Sequence, residues 1–208
     1  MTDRAAWPAT LRVIGIAGSL RAASFNRALL SAARDLAPPE LIIEIRELKD
    51  LPLFNEDLER DGVPVAVGEL RSAVRSADGL LLVTPEYNHG VPGVLKNAVD
   101  WLSQPLRHSA LEGKPAALMG ASTGLTGTAR SQSQLRQAFV LTNSPVMQQP
   151  EVLVARAHEK FDAMGRLTDQ PTQEFVSAFL TRVAQWLTQQ KRAMAHESLS
   201  WGRPSISS

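Results

Sequence analysis

The chain has 208 residues, 44% of them apolar and 21% charged, a composition typical of one soluble globular domain. A net charge of +1 without a basic stripe argues against a nucleic-acid binder, and no apolar run approaches the ~20 residues that span a bilayer. The absence of cysteine excludes disulfides, thiolate catalysis and cysteine-ligated metal centres.

Apolar runs and amphipathic segments alternate along the chain. The runs are typical of strands buried on both faces, and they are Leu11–Ala17, Leu41–Ile45, Gly79–Val83, Pro115–Gly120 and a broken fifth run, Val146-Met147 with Val152–Val154. Helical spacing predicts helices over about 24–36, 64–77, 94–103, 128–141 and 171–191. This alternation predicts an α/β domain with a parallel sheet covered by helices on both faces.

Three segments do not fit the alternation. Residues 1–10 are predicted to form an N-terminal arm without the apolar core of a signal peptide, so the cytoplasm is the expected location. Residues 194–208 are predicted to form a disordered tail, which leaves a domain of residues 11–193. The irregular stretch from Glu47 to Pro64 is rich in apolar side chains and is expected to form an interface: Leu51, Leu53, Phe54 and Leu58.

Three loops carry the side chains of chemical interest, and each follows a predicted strand. They are Gly18–Ala23, Thr84–Gly93 and Ala121–Gly127. In a five-stranded sheet of order 2-1-3-4-5 the topological switch point lies between strands one and three, where parallel sheets bind ligands at their carboxyl ends. The three loops are therefore expected to form one site.

The first loop offers neutral donors at the start of a helix. Ser19, Ser24 and Asn26 stand beside unpaired backbone N–H groups, and Arg21 adds positive charge. Ser24 alone is better explained as a helix cap, but the three together at a switch point favour a phosphate monoester. The loop lacks both the Walker A and the G-x-G-x-x-G patterns.

The second loop, Thr84–Gly93, places an aromatic ring, an amide, an imidazole and a carboxylate between two prolines and two glycines. Such a rigid, polar-edged loop suits a flat ring system, and the third loop can donate backbone N–H groups to the ring's far edge. A phosphate, a ribityl-length gap and a ring describe flavin mononucleotide (FMN) better than a free nucleotide.

The same stretches carry a resemblance. Gly18-Ser19-Leu20-Arg21-x-x-Ser24-x-Asn26, followed by the run from Pro85 to Trp101, resembles the NADPH-dependent FMN reductase family, which includes bacterial quinone and chromate reductases. The resemblance covers about residues 11 to 155. It implies a flavodoxin-like three-layer sandwich, bound FMN, reduction by NADPH or NADH, and a homodimer or homotetramer.

The resemblance also implies roles for individual residues. Those expected to bind the FMN phosphate are Ser19, Arg21, Ser24 and Asn26. Those expected to line the ribityl chain and the isoalloxazine ring are Pro85, Glu86, Tyr87, Asn88 and Gly90. Those expected to close the pyrimidine side are Ser122, Thr123 and Gly124. This third wall departs from relatives that often have a Gly-Gly pair, since it reads Gly124-Leu125-Thr126-Gly127.

We therefore expect an NAD(P)H-dependent FMN oxidoreductase with a ping-pong cycle that passes electrons to quinones, free flavin, chromate or azo compounds. No catalytic side chain is required, because the flavin carries the hydride chemistry. His89 is interpreted as a hydrogen-bonding loop residue, Tyr87 as a pocket or a core residue, and Arg71 with Arg75 as a solvated face.

Two alternatives stay open at this stage. A non-enzymatic electron carrier of flavodoxin type would be acidic, whereas this chain has a pI of about 8.2. A dehydrogenase without flavin would carry the dinucleotide fingerprint that the first loop lacks.

Overall fold

The computed structural model describes residues 10–106 and 108–200. Its sheet has five parallel strands in the order β2-β1-β3-β4-β5, as predicted. The strands are β1 (Leu11–Ala17), β2 (Leu41–Arg46), β3 (Gly79–Val83), β4 (Ala116–Ala121) and β5 (Val152–Val154). Val146 makes a separate parallel bridge to Ala116, so the fifth strand is broken as the sequence indicates.

Six α-helices are described around the sheet. They are α1 (Phe25–Leu36), α2 (Glu56–Asp61), α3 (Val65–Ser76), α4 (Gly93–Leu102), α5 (Ala129–Ala138) and α6 (Gln170–Ser200), and a 3₁₀ turn spans Ala157–Glu159. Within these described residues, no helix combines the length and the apolarity that crossing a bilayer requires.

The sheet separates two hydrophobic cores, which makes the domain a three-layer sandwich. Side chains of α1 and α6 form one core with alternate residues of the strands, for example Leu29, Val13 and Phe179. Side chains of α3, α4 and α5 form the other on the opposite face, for example Val74 and Leu95. Because β3 is buried at every residue, its run of leucines contributes to both cores.

Two predicted segments differ from the structure. The stretch predicted as irregular contains α2, whose amide-capped first turn begins after Asn55. The final helix extends beyond the predicted end at Lys191 to Ser200, so the first part of the predicted tail is helical. Residues 1–9 and 201–208 lie outside the described residues, and the predicted domain boundaries stay a prediction.

The interpretation of Arg71 as a solvated residue is wrong. Its side chain is buried and pairs through two nitrogens with the Glu59 carboxylate at 2.9 Å, while the same guanidinium donates to the Trp101 carbonyl. The pair connects α2 with α3 and α4. Sequence spacing could not reveal this, because the partner comes from an inserted segment.

Gly120 sets the distance between β4 and the residues that follow β3. A Cβ at this position would overlap the hydroxyl of Thr128 and the carbonyl oxygen of Thr84. Both threonines are fully buried, so neither can move aside without opening the core. The close approach of the carboxyl ends of β3 and β4 therefore requires a glycine at position 120.

We expect Gly120→Ala to lower the free energy of unfolding by about 1–3 kcal/mol through overpacking, measured by chemical denaturation. Gly68→Ala is the matched control, because Gly68 lies in α3 and its added Cβ would come no closer than 4.0 Å to Val63. The control should be stabilised by about 0.5–1 kcal/mol through helix propensity. Equal stability of Gly120→Ala and wild type would contradict the close approach.

Candidate functional site

The three loops of interest meet at the switch point of the sheet. β1 and β3 are neighbours, and the chain leaves them towards opposite faces through α1 and α4. The loop after β3 lies between those after β1 and β4. Tyr87 of this central loop hydrogen-bonds to Ser19 of the first loop, and Asn26 of α1 hydrogen-bonds to Ala121 at the end of β4. The structure therefore brings together the segments that carry all the predicted site residues.

Ser24 begins α1 as its N-cap. Its Oγ accepts hydrogen bonds from the N–H groups of Asn26 and Arg27, at 3.2 and 3.4 Å. The interpretation of Ser24 as a cap is thus confirmed, while its hydroxyl hydrogen is left to donate elsewhere. Ser19 is also buried, whereas Arg21 is exposed on the outer side of the loop.

Asn26 has partners that the sequence did not indicate. Its Nδ2 donates to the Ala121 carbonyl and its Oδ1 accepts from the Ala121 N–H, both at 2.8 Å. The side chain imitates a neighbouring strand at the end of β4, where the sheet ladder stops. Asn26 therefore joins α1 to β4, and its direct contact with phosphate stays a prediction.

The central loop contains a tight reversal between Tyr87 and Gly90. Each of these residues donates its N–H to the carbonyl of the other, at 3.2 and 3.0 Å. The two residues between them, Asn88 and His89, have φ of 50° and 62°, the left-handed region that a two-residue type I′ turn requires. Asparagine and histidine are both among the non-glycine residues that adopt this conformation most readily. Both residues are exposed.

Tyr87 is not a core residue. Its side chain is 46% exposed, which excludes the interpretation as a packed tyrosine over the sheet. Its hydroxyl lies 3.2 Å from Ser19 Oγ and connects the central loop with the first loop. The ring face is left open beside the loop that is expected to hold phosphate.

Glu86 connects the central loop with α5. Its carboxylate accepts hydrogen bonds from the backbone N–H groups of Arg130 and Ser131, at 3.0 and 3.3 Å, and from Arg130 Nη1 at 3.1 Å. Burial by itself would raise the pKa of Glu86, but these donors together outweigh it and hold the pKa below its ordinary value. The Glu86 carboxylate thus caps the N-terminus of α5. Thr128, which occupies the N-cap position of that helix, makes no capping hydrogen bond with its side chain.

The third loop lies against β5 and the 3₁₀ turn. Ser122 donates its N–H to the Val154 carbonyl, and its Oγ accepts from the Gly124 N–H at 3.1 Å. Thr123 and Gly124 are exposed and face solvent beside the first two loops. The departure from a Gly-Gly pair causes no backbone strain. In this loop the positive φ, 61°, falls on Gly127, and neither Leu125 nor Thr126 takes one.

Sequence reasoning missed the residues that stabilise the loops from α5. Gln134 accepts a hydrogen bond from the Val91 N–H and donates to the His89 carbonyl, and Arg130 pairs with Glu86. Ser131 shares a hydrogen bond with Thr84 in the core. No signal in the sequence identifies these partners, since they look like ordinary residues of a polar helix.

The arrangement fits a flavin nucleotide. Two buried serine hydroxyls and the first turn of α1 form a neutral donor set of the kind that holds a phosphate. Tyr87 and the exposed residues of the third loop border the surface that we call the shelf. An oxidoreductase site of this type needs no acid or base among its side chains, because the ring supplies the redox chemistry.

Comparison with known proteins decides the family. The model of the NADPH-dependent FMN reductase family matches residues 11–159, which include all three loops. The chain belongs to the NADPH-dependent FMN reductase family. It is thus an FMN-dependent oxidoreductase that uses a nicotinamide reductant, as the sequence predicts, and neither the carrier nor the flavin-free dehydrogenase is supported.

Relatives within this family are similar over most of their length. The chain is 45% identical over 177 residues to the NAD(P)H-dependent FMN reductase of Pseudomonas aeruginosa, covering 85% of this chain and 95% of that one. It is 42% identical over 172 residues to a quinone reductase of Pseudomonas putida, covering 83% and 92%. Among solved structures, the flavoenzyme NAD(P)H:(acceptor) oxidoreductase of Paracoccus denitrificans matches with a TM-score of 0.80 and 34% identity, covering 87% and 99%.

Glu86→Gln should lower the free energy of unfolding by about 1–3 kcal/mol at neutral pH, because a charged acceptor of three N–H donors becomes a neutral one. The folded-state pKa is depressed, so the stabilisation is complete above the ordinary pKa of 4.5 and is lost as the pH falls through the folded-state pKa. The difference between variant and wild type should therefore shrink on acidification, as measured by denaturation at several pH values.

The control for this measurement is Glu112→Gln, because Glu112 is exposed. Its effect should stay within about 0.5 kcal/mol, as for an ordinary surface substitution. A Glu86→Gln variant whose stability differs from wild type by the same amount at every pH would show that the carboxylate charge does not stabilise α5.

Proposed function

We propose that the three loops bind FMN, with the phosphate at the first loop and the isoalloxazine ring between the central and third loops. The observation that carries this proposal is a set of hydrogen bonds around the switch point: Tyr87 bonds to Ser19 of the first loop, Glu86 bonds to α5, and Asn26 of α1 bonds to Ala121 at the end of β4. When bound, FMN accepts hydride equivalents from NAD(P)H and passes them to a second substrate.

The first loop would bind the phosphate through Ser19, Arg21 and Ser24. The hydroxyl hydrogen of Ser24 stays available while its oxygen caps α1, and the helix end favours an anion. Arg21 is exposed and can reach the outer phosphate oxygens. Asn26 would complete the set, and its two hydrogen bonds to Ala121 hold α1 in place under this loop.

The central and third loops would enclose the ring. Pro85 is buried and begins the wall, Tyr87 and Asn88 present exposed side chains along the ribityl chain and ring, and Gly90 completes the turn. Ser122, Thr123 and Gly124 would close the pyrimidine side. Polar N–H groups at that edge would stabilise the negative charge that develops there during reduction.

One cleft would serve both substrates in turn. The shelf beside Tyr87 is open, and a nicotinamide ring that stacks there must leave before an acceptor can take the same position. This geometry supports a ping-pong cycle. Quinones are the favoured acceptors because several relatives are named quinone reductases, while free flavin, chromate and azo compounds remain further candidates.

The second proposal concerns assembly. The segment around α2 exposes Leu53 at 82%, Val65 at 78% and Leu58 at 40%, more apolar surface than a solvated loop shows. We propose a homodimer or homotetramer with this segment at the contact. The location in the cytoplasm also stays a prediction.

Light scattering should give the mass of a dimer or tetramer for wild type, and Leu53→Asp should shift the protein towards the monomer. The control is Leu125→Asp, which places the same charge on an exposed leucine outside the α2 segment. Leu125 lies in the third loop and is 74% exposed, so this variant should keep the oligomeric mass of wild type. A monomeric wild-type protein at micromolar concentration would refute the assembly.

Ser19→Ala should weaken FMN binding by about 1–3 kcal/mol, the value of one hydrogen bond to a charged group, and leave riboflavin binding unchanged. Fluorescence titration of both flavins measures this. Tyr87→Phe removes only the hydroxyl partner of Ser19 and should cost less. Equal affinity of the wild type for FMN and riboflavin would eliminate the phosphate site.

Tyr87→Ala should fold with near-native stability, because Tyr87 is exposed and belongs to neither hydrophobic core. It should retain FMN in part and change the relative rates for quinones of different size, since the ring borders the shelf. Steady-state assays with a graded quinone series measure the ranking. An unaltered ranking would place the acceptor elsewhere on the protein.

A further inference from the structure

Arg156 lies shortly after β5, beside the third loop. Its N–H donates to the Gly124 carbonyl at 3.1 Å, and the N–H of the next residue, Ala157, donates to the Ser122 carbonyl at 2.9 Å. These two bonds continue the pairing of β4 with β5 beyond the ends of the strands. The backbone of Arg156 is therefore fixed against the loop that is proposed to close the pyrimidine side of the ring.

The backbone conformation of Arg156 is unusual for an arginine. Its φ of 48° and ψ of 45° lie in the left-handed region, where asparagine, aspartate and histidine are the enriched side chains. Residues held in sparsely populated conformations cluster at functional sites, because such a conformation persists only where the surrounding structure imposes it. The two hydrogen bonds to the third loop hold Arg156 in this conformation.

The guanidinium of Arg156 has no protein partner within the described residues. The residue is exposed, and no side chain or carbonyl of the described chain forms a hydrogen bond or an ion pair with this guanidinium. Glu159, three residues further on, lies 3.6 Å from His158 instead. The fold therefore does not explain an arginine at this position, since asparagine would suit the same backbone better.

The uncompensated charge of the loops around the shelf is positive. Arg21 is the charged residue of the first loop, the third loop has none, and the Glu86 carboxylate of the central loop is paired with Arg130. Arg156 adds a second positive charge beside the third loop, although the whole chain carries only +1. Because Arg21 is proposed to bind the FMN phosphate, the guanidinium of Arg156 is left for another anion.

We infer that Arg156 binds the acid group of a negatively charged electron acceptor, such as a quinone with a carboxylate or sulfonate substituent. The guanidinium fork offers two parallel N–H donors to such a group. Reduction adds two electrons and two protons to the quinone ring with or without the acid group, so Arg156 acts on acceptor binding and not on the chemistry. The inference rests on the proposed use of the shelf by FMN and the acceptor.

Two naphthoquinones of similar size test the inference: menadione, which is neutral, and 1,4-naphthoquinone-2-sulfonate, which is an anion. Arg156→Asn removes the charge and keeps a residue that tolerates the left-handed backbone. It should lower kcat/KM for the sulfonate about tenfold, through KM, and leave kcat/KM for menadione nearly unchanged. Arg156→Lys should recover part of the loss, because lysine restores the charge without the fork.

A second measurement does not depend on turnover. Oxidised protein loaded with FMN cannot reduce a quinone, so a titration followed by flavin absorbance gives the Kd of each quinone. The Kd of the sulfonate should rise about tenfold in Arg156→Asn, while the Kd of menadione stays the same. Added salt should weaken the binding of the sulfonate to wild type and have little effect on the variant, because an exposed ion pair is screened.

The matched control is Arg182→Gln, because Arg182 is also exposed and lies in α6. It lines a groove with Met147, whose N–H bonds to Ala116 at the start of β4, the end of the sheet opposite to the loops. This variant should behave like wild type with both quinones. The same loss in Arg182→Gln as in Arg156→Asn would overturn the inference.

The remaining outcomes separate the inference from the proposed function. Equal losses for both quinones in Arg156→Asn would assign the arginine to the flavin, and a lower kcat/KM for NADPH and NADH would assign it to the nicotinamide diphosphate. Either result overturns the inference, as does wild-type kinetics of the variant with the sulfonate, and all three leave the proposed function standing. Failure of wild type to bind FMN would refute the proposed function and the inference together.

Discussion

The Glu86 carboxylate accepts three hydrogen bonds from the start of α5 while only 8% of its side chain remains exposed. A charge so enclosed is tolerated because backbone N–H groups and the Arg130 guanidinium replace the water that burial removes. Since Glu86 precedes Tyr87 directly, this one contact also determines where the aromatic ring stands. The central loop and α5 consequently form a single rigid wall.

Two further contacts hold the first loop and α1, one against β4 and one against that wall. Asn26 continues the hydrogen bonding of the sheet at Ala121, and the Tyr87 hydroxyl reaches Ser19. Each contact joins residues more than sixty positions apart, so none forms until the sheet has assembled. The site is therefore preorganised by the fold itself, which keeps the cost of ordering loops out of ligand binding.

The inserted segment around α2 is also connected to the site, through α4. Asn97 accepts from the Phe54 N–H at 2.7 Å and donates to the Pro52 carbonyl, and Trp101 Nε1 donates to the same carbonyl. The ion pair between the buried Arg71 of α3 and Glu59 of α2 also holds this segment in place. Because α4 follows the central loop directly, a partner subunit that covers the segment would rest on the helix that ends the flavin wall.

By itself the sequence determined the alternation of strands and helices, the order of the sheet and the family. Apolar runs and helical spacing are local consequences of burial on two faces, and the run from Pro85 to Trp101 is specific to one family. The Ser24 cap is equally local, since a helix needs an acceptor at its first residue.

Only the tertiary structure decided which polar side chains are already occupied. Asn26 and Glu86, which are predicted to contact the cofactor, bond to Ala121 and to α5. Arg71, which the sequence predicts to be solvated, is buried against Glu59. The reason is that a hydrogen-bond partner is chosen by proximity in space, and residues from other elements reach these groups at 2.8–3.0 Å. The spacing of residues along the chain determines which helices and strands form. The packing of those helices and strands determines which side chains become hydrogen-bond partners.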